Sequence, residues 1–390
     1  MLLNHLFSYM NSQTHFPSVL FACISVVLAF MVFCAGCTTT SLSEKSGISI
    51  ATLDDRTGNA IATFAEQYQE STQIPVNVAL FSSDEWKQVS YQEYDLIIVN
   101  VADLRDLVEQ NIVAPITMMD DGLLTKTTFD AIMLHPYIFG SDLYGLPLQP
   151  DMLGYVIWGE LFADENEIAA FKETYGYDIG NPLTYHELLT IIKFISRPEN
   201  ERHGIGFAGD ESNTLQNLHE SIVCSYGSEP IDAERQEAEA IFQELIANSA
   251  PEHMTWSRED VTDALLQRKI QSAITWFSEF ETMSSPEYNP ENDKFIFLPL
   301  PGSWDRNGVF HSSTILDGQV FAVPHRSHAE KRDMLAFLNW FYQPDIQLQW
   351  MQAGMQPMIH EIQESWEYLM ANGYNAAYII SLRNAWKSTS

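Results

Sequence analysis

The sequence predicts an α/β protein built as two lobes, and three observations lead to this fold class. From Ile48 onward, short apolar runs typical of strands alternate with runs of helical spacing, which is the pattern of an α/β architecture. Two proline-containing stretches, 141–151 and 295–303, interrupt the alternation and predict extended segments that cross between lobes. At about 150 residues per domain, the 354 residues after position 36 (390 − 36) suggest two domains.

The first predicted elements alternate strand and helix. Residues 48–53 form a strand that ends at Asp54-Asp55, and residues 74–80 alternate with a period of two, as in a half-buried strand. Residues 95–99 form a continuous apolar run, which is typical of a strand covered by helices on both faces. The helix between the first two strands is predicted from an apolar stripe at spacings of three and four: Ile61, Phe64, Ala65 and Tyr68.

The rest of the chain is predicted to be mainly helical, with one further strand at 319–323. The predicted helices cover 160–171, 185–196, 233–248, 258–269 and 329–341. Because the chain is expected to cross more than once, each lobe combines two segments. We assign 47–148 and 299–355 to lobe 1, and 149–298 and 356–390 to lobe 2.

The N-terminus carries an apolar run of about fifteen residues, which suits an export signal better than a membrane span of about 20 residues. Ala35-Gly36 directly precede Cys37, and this stretch resembles a bacterial lipobox, whose cysteine is lipid-modified. Residues 1–36 are therefore expected to be a lipoprotein signal peptide and 37–46 a tether. The leader lacks Lys and Arg, and Cys34 replaces the usual aliphatic residue. A plain signal peptide and an N-terminal membrane anchor are the alternatives.

Charge and cysteine content exclude several classes of function. The chain has 52 acidic and 20 basic residues, a formal net charge of −32, which disfavours binding to nucleic acid or anionic lipid through a basic surface. Beyond the leader and the lipobox cysteine Cys37 at its edge, Cys224 is the sole cysteine, so neither an internal disulfide nor a cysteine metal cluster is expected. The eleven histidines show no helical metal-binding pair. We expect neither a metal nor another cofactor.

Five stretches follow one another along the chain: YDLIIVN (94–100), LVEQNIVAPI (107–116), LYGLP with GYVIWGELF (143–162), LLQRKIQSAITWFSEF (265–280) and the long segment 317–358. In this order they resemble the extracellular solute-binding proteins of ATP-driven sugar importers, the group that includes maltose-binding protein. Arg268-Lys269-Ile270 departs from the usual Gly-Lys-Ala of that family.

The resemblance implies a periplasmic-binding-protein-like fold, with two α/β lobes joined by crossing hinge segments that close on a ligand. It also implies a carbohydrate ligand, membrane permease subunits of an ABC transporter as partners, and no catalytic residue. The protein would be a monomer, tied to a bacterial membrane by its lipid and located in the periplasm or on the cell surface.

Candidate ligand-binding residues are chosen at predicted strand ends and crossings, because strand carboxyl ends converge on the crevice of open α/β sheets. Sugars present hydroxyls and apolar ring faces, so aromatic platforms and polar oxygen- and nitrogen-bearing groups are needed together. The candidates are Asp54, Asn100, Gln149, Asp151, Trp276, Phe280, Trp304 and Gln356.

Each candidate has a purely structural alternative. Trp276 and Phe280 are equally compatible with core packing, and Trp304 with a lid or packing role. Asp54 and Asn100 are also suited to capping the helices that follow them. Gln149 is suited to bonding backbone groups at the hinge.

Two other classes of function compete with solute binding. The segment His203 to Gly209 contains G-x-G-x-x-G, but a polar loop precedes it and no helix start directly follows it, so a short strand is the favoured interpretation. An exported glycoside-active enzyme would use paired carboxylates, which 52 acids provide by chance. A ligand sensor of the same fold would differ in having no transporter partner.

Overall fold

The computed structural model describes residues 47–116, 129, 131–210, 212–289, 294–327 and 331–385, all within the compact unit Gly47–Ser390. The expected signal peptide, the tether and the lipidation site Cys37 lie outside the described residues. Among the helices described, none combines the length and the apolar character needed to cross a bilayer.

The strands alternate with helices over much of the chain. The strands are β1 (Ile48–Leu53), β2 (Val76–Phe81), β3 (Leu96–Asn100), β4 (Val113–Ala114), β5 (Ile138–Phe139), β6 (Asp142–Leu143), β7 (Gly145–Asp151), β8 (Leu153–Trp158), β9 (Ser272–Trp276), β10 (Phe295–Pro299), β11 (Gly302–Trp304), β12 (Phe310–Ser312) and β13 (Asp317–Pro324). The α-helices are α1 (Arg56–Thr72), α2 (Ser83–Trp86), α3 (Val101–Glu109), α4 (Ala131–Leu134), α5 (Glu165–Tyr175), α6 (Tyr185–Ile195), α7 (Ser212–Cys224), α8 (Asp232–Ala247), α9 (Arg258–Leu266), α10 (Phe277–Ser284), α11 (Lys331–Phe341), α12 (Pro344–Gln352), α13 (His360–Gln363), α14 (Trp366–Ala371) and α15 (Asn375–Ala385).

Two sheets organise the molecule. The larger has the strand order β2-β1-β3-β13-β4, and β7 also pairs with β13. Strands β1, β2 and β3 are parallel, whereas β13 is antiparallel to β3, β4 and β7. The smaller sheet has the order β10-β8-β9 and is antiparallel. The chain passes from one sheet to the other between β7 and β8, where Met152 alone separates the two strands.

The apolar patterns in the sequence correspond to the buried faces. All four residues of the stripe predicted for the first helix are buried on α1, so that prediction is confirmed. Alternate residues of β8 point to opposite faces of the small sheet. Val156 belongs to the largest apolar cluster, which also contains residues of the large sheet, and Tyr155 belongs to a second cluster beneath α6.

Two predicted elements differ from the structure. The helix expected at 160–171 begins only at Glu165, because Asp164 caps it by accepting from the Asn166 N–H at 2.8 Å. The proline-containing stretch at 295–303 contains strand β10, paired with β8 from Phe295 to Pro299. Phe295 and Phe297 are buried and Ile296 between them is half-buried, as the pleat of a sheet requires, and Pro299 stands at the end of the strand.

Helix α6 begins with a reciprocal cap that allows a stability prediction. The Glu187 N–H donates to Thr184 Oγ1 at 3.2 Å, and the Thr184 N–H donates to the Glu187 carboxylate at 3.0 Å. We expect T184A to lower the free energy of unfolding by about 1 kcal/mol, measured by urea denaturation. T190A is the control, because the Thr190 hydroxyl donates only to the carbonyl of His186 within the helix. Equal losses in both variants would contradict the capping role.

Candidate functional site

A cavity of about 240 Å³ lies between the two sheets, at the carboxyl ends of β1 and β3. Parallel strands present helix starts and loop residues at that edge, which is where α/β sheets bind ligands. The segments β7 and β13 and the end of β9 complete its wall. The residues that line it are Leu53, Asp55, Arg56, Thr57, Asn100, Gln149, Asp151, Asn213, Arg258, Trp276, Ser278, Asp317, Gly318 and Gln319.

The end of β1 contributes the N-terminus of α1. Asp55 caps this helix by accepting from the Gly58 N–H at 2.8 Å, and its other carboxylate oxygen accepts from Gln319 Nε2 at 2.7 Å. Arg56 donates to the Glu281 carboxylate of α10, and to the Gly354 carbonyl at 2.9 Å. Asp54, the predicted residue, accepts from Asn59 Nδ2 at 2.9 Å and does not line the cavity. Its neighbour Asp55 takes the place expected for it.

Asn100 stands at the end of β3, where the sequence placed it. It occupies the N-cap position of α3, yet its side chain makes no capping hydrogen bond. The side chain lines the cavity and also hydrogen-bonds Asp103. The polar amide of Asn100 is therefore placed at the cavity wall.

Strands β7 and β13 bring two amides and two carboxylates side by side. Gln149 pairs in register with Gln319, and Asp151 with Asp317. Gln149 Oε1 accepts from the Gln356 N–H at 3.0 Å, so Gln356 orients a cavity residue. Gln356 itself is only 6% exposed, accepts from the Tyr368 hydroxyl and does not line the cavity.

Asp151 joins the two sheets through its carboxylate. It accepts from the Met152 N–H at 2.9 Å, from the Ser278 N–H at 3.2 Å and from Ser278 Oγ at 2.7 Å. The Arg258 guanidinium lies 3.8 Å away. Burial raises the pKa of Asp151, while Arg258 and these hydrogen bonds act in the opposite direction. Three of the roughly four acceptor sites of this carboxylate are therefore used by the protein, which fixes it at the start of α10.

Asp317 and Glu279 add further negative charge. Asp317 accepts from the Gly318 N–H at 2.9 Å and from the side chains of Asn213 and Asn217 on α7 at 3.3 and 3.4 Å. Burial raises the pKa of Asp317 and also that of Glu279, which accepts from Thr262 Oγ1 at 3.1 Å. Of these two acids, Asp317 lines the cavity and Glu279 does not, so Asp317 and Asp151 are the buried carboxylates that can accept from hydroxyl groups there.

Trp276 lines the cavity, but the structure presents its ring differently from the expected open platform. The residue is 1% exposed, and its indole N–H donates to Thr214 Oγ1 at 2.9 Å. The guanidinium carbon of Arg258 lies 4.3 Å from the ring centroid. One face of the indole is therefore covered by Arg258, and the aromatic group at the cavity is a stacked Arg–Trp pair.

Two predicted aromatics lie away from the cavity. Phe280 is fully buried and packs on Phe277 and Phe297, because it faces the small sheet one helical turn beyond Trp276. Trp304 is 61% exposed on the hairpin of β11 and β12, where it contacts Phe310. Neither residue is retained in the proposed site.

The buried carboxylates make stability depend on pH. Because the folded pKa of Asp317 lies above its ordinary value of 3.8, its contribution is fully present below that value. The contribution is lost as the pH rises through the folded pKa. Asp151 and Glu279 act with the same sign. We expect the Tm to rise as the pH is lowered from neutral toward 3.8, and to rise less in D317N.

D305N is the control for this pH dependence. The pKa of Asp305 is lowered, first by the hydrogen bond from the Val309 N–H, so its contribution is lost as the pH falls. Because this loss begins only near the ordinary value of 3.8, D305N should show the same rise of Tm as wild type above that pH. A wild-type slope that D317N leaves unchanged would show that general charge repulsion, and not Asp317, causes the effect.

The fold matches known solute-binding proteins over most of its length. A protein of Agrobacterium radiobacter K84 solved with ribitol is similar at a TM-score of 0.69 and 12% identity, covering 88% of each chain. T. maritima MalE3, solved with maltose, gives 0.67 at 16% identity, covering 87% of this chain and 88% of the other. A protein of Thermotoga Lettingae TMO with bound alpha-D-tagatose gives 0.64 at 17%, covering 87% of each. These likenesses confirm the predicted two-lobed α/β fold.

No curated protein matches this sequence. The pattern of the family described as bacterial extracellular solute-binding protein matches residues 63–374, which is well over half of the chain. The chain therefore belongs to the family of bacterial extracellular solute-binding proteins.

Proposed function

We propose that the protein captures one sugar or linear polyol unit in the cavity between its sheets and delivers it to an ABC-type importer. The observation that carries this proposal is the cavity itself, which brings together Asn100, Gln149, Asp151 and Trp276 from separate strands. Family membership supports extracytoplasmic solute binding. The structural relatives solved with ribitol, tagatose and maltose support the choice of a polyhydroxylated ligand.

The size of the cavity favours a small ligand. A cavity of about 240 Å³ lies below the range of about 300–1,000 Å³ that is typical of sites for drug-sized ligands, so it suits one sugar ring or one polyol chain. We therefore narrow the expected ligand to a monosaccharide or a polyol.

The polar lining suits hydroxyl groups, which both donate and accept. Carboxylates of Asp151 and Asp317 accept hydrogen bonds, and the amides of Asn100 and Gln319 and the guanidinium of Arg258 donate them. A site built to bond hydroxyls rejects analogues that lack them, because its buried polar groups would be left unpaired. The arrangement therefore favours ligands with several hydroxyls.

The remaining parts of the proposal rest on sequence. The lipobox-like stretch before Cys37 favours a lipid anchor on a bacterial membrane, with the binding unit facing outward. The permease would recognise the closed form, which a ligand stabilises only through its higher affinity for that form. No catalytic step is required, in contrast to the glycoside-active alternative.

Thermal shift of the full-length protein tests the proposal. We expect ribitol, mannitol, tagatose or glucose to raise the Tm, since a ligand at a hundred times its Kd stabilises by about 2.7 kcal/mol. N100A should reduce the shift and W304A should retain it, because Asn100 lines the cavity and Trp304 does not. Maltotriose incubated with the protein should be recovered intact, whereas a glycoside hydrolase would release reducing ends. No shift with any sugar or polyol would refute the proposed ligand class.

A further inference from the structure

We propose that Arg258 sets the length of the ligand, by occupying the face of Trp276 on which a second sugar ring would otherwise stack. This inference rests on the proposed function, since it concerns the same cavity. It assigns Arg258 as a specificity-determining residue, which limits the site to one sugar or polyol unit.

The backbone of Arg258 is held firmly. Arg258 is the first residue of α9, and Ser257 caps this helix. The Asp260 N–H donates to Ser257 Oγ at 3.2 Å, and the Asp260 carboxylate accepts from the Ser257 N–H and hydroxyl, both at 2.9 Å. Because both ends of this reciprocal cap are satisfied, changes at position 258 act through the side chain rather than through the helix start.

The guanidinium is held between an aromatic ring and a carboxylate. Its central carbon is 4.3 Å from the centroid of Trp276, and a terminal nitrogen is 3.8 Å from Asp151. The indole is fixed in turn by the hydrogen bond to Thr214. A planar guanidinium stacks well on an aromatic face, so the pair forms a preorganised wall.

The Arg258–Trp276 pair covers the indole face on which a longer sugar would stack. An aromatic face is the natural platform for the apolar face of a sugar ring, and Trp276 alone among the aromatic residues lines the described cavity. With the guanidinium in place, a ligand meets a polar donor at this wall. Without it, the ring face and the volume of the side chain become available to a second sugar unit.

Because Arg258 is charged, a test of its role needs a second variant besides R258A. The guanidinium opposes the effect of burial on Asp151 and Asp317, since it lowers the pKa of both. R258A alone would leave buried carboxylates without this counter-charge. The double variant R258A/D151N removes one of these charges and keeps an oxygen that can accept from Ser278, so it guards against simple loss of folding.

Arg268 provides a matched control. Its guanidinium carbon lies 3.8 Å from the ring of Trp158 and it pairs with Glu160, so it forms an Arg–Trp stack of the same kind. It does not line the cavity. R268A therefore removes an equivalent stack without changing the site.

The experiment is isothermal titration of wild type, R258A, R258A/D151N and R268A with matched series. The probes are ribitol, glucose, maltose and maltotriose, and galactose with lactose. We expect wild type and R268A to bind the single sugar of a pair, glucose or galactose, with a lower Kd than the matching disaccharide, maltose or lactose. Both Arg258 variants should bind a disaccharide at least roughly tenfold more tightly relative to the single unit. The ratio of the two Kd values is the readout, because a general loss of folding weakens both ligands together.

Three results would overturn the inference. The first is wild type that binds disaccharides as tightly as single units, and the second is Arg258 variants whose ratio is unchanged. The second leaves the proposed function intact, and the first leaves solute binding intact but removes its restriction to a single sugar or polyol unit. The third is wild type that binds none of the sugars or polyols, which overturns the proposed function and the inference with it.

Discussion

Replacing Asp151 by alanine is expected to lower the free energy of unfolding by about 2–4 kcal/mol and to abolish ligand binding. The carboxylate accepts three hydrogen bonds from Met152 and Ser278, which lie where the chain enters the small sheet and where α10 begins. Each buried donor left without a partner costs about 1–3 kcal/mol, and water reaching the enlarged cavity offsets part of the total. Urea denaturation and isothermal titration measure the two effects.

The asparagine variant separates the acceptors of Asp151 from its charge. Because burial raises the pKa of Asp151, the charged form is disfavoured in the fold at neutral pH. D151N keeps an acceptor for Ser278 without that penalty, so its stability should stay close to that of wild type. D106A, at an exposed acid of α3, controls for the loss of one negative charge. If D151N were as unstable as D151A, the charge and its contact with Arg258 would be the stabilising element instead.

Local pattern was sufficient to predict much of the fold. The apolar stripe of α1 and the continuous run of β3 report directly which faces are buried, and both elements formed as predicted. The same logic placed Asn100 at the cavity, since it needs only the position where a strand ends. Elements that depend on distant partners were harder to predict. Strand β10 is defined by its pairing with β8, which the order of residues in the chain does not reveal.

The cavity residues that the sequence did not indicate depend on register and on contacts between sheets. Asp317 faces Asp151 because β13 pairs with β7 in one particular register. Arg258 reaches Trp276 because α9 packs beside the end of β9. The sequence shows only a helix-capping residue, Ser257, before Arg258, and an acidic residue, Asp317, at the start of a strand. Both features are common in proteins and do not indicate a binding site.

Phe280 was selected for its place after a strand, and the structure buries it away from the described cavity. Helix α10 begins at Phe277, and Phe280 returns to the side of the small sheet. Gly154 of β8 makes room for this ring, since a Cβ there would lie 2.8 Å from it. The absence of a side chain at Gly154 therefore determines where Phe280 packs. The pattern of residues 276–280 alone does not indicate this position.

Replacing Gly318 by alanine is expected to cost about 3 kcal/mol or more and to remove ligand binding. Gly318 has φ of +100°, in the region that side-chain-bearing residues rarely adopt, and it lies next to a register shift in the pairing of β13 with β7. A Cβ at this position would overlap the carbonyl oxygen of Gln149 and approach the Asp151 N–H to 2.6 Å. Strain of about 1–3 kcal/mol at such a residue adds to the cost of separating the two strands.

A second glycine isolates the effect of crowding from that of backbone strain. Gly140 has φ of +69°, and a Cβ there would meet no atom within 4 Å. G140A should therefore cost only about 1–2 kcal/mol, the usual penalty of the left-handed conformation, and should bind ligand as wild type does. If G318A lost no more stability than G140A, β7 would be able to move away from β13 at little cost. Strand β7, which contains Gln149 and Asp151, would then be flexible. A rigid cavity wall could therefore no longer explain selective binding.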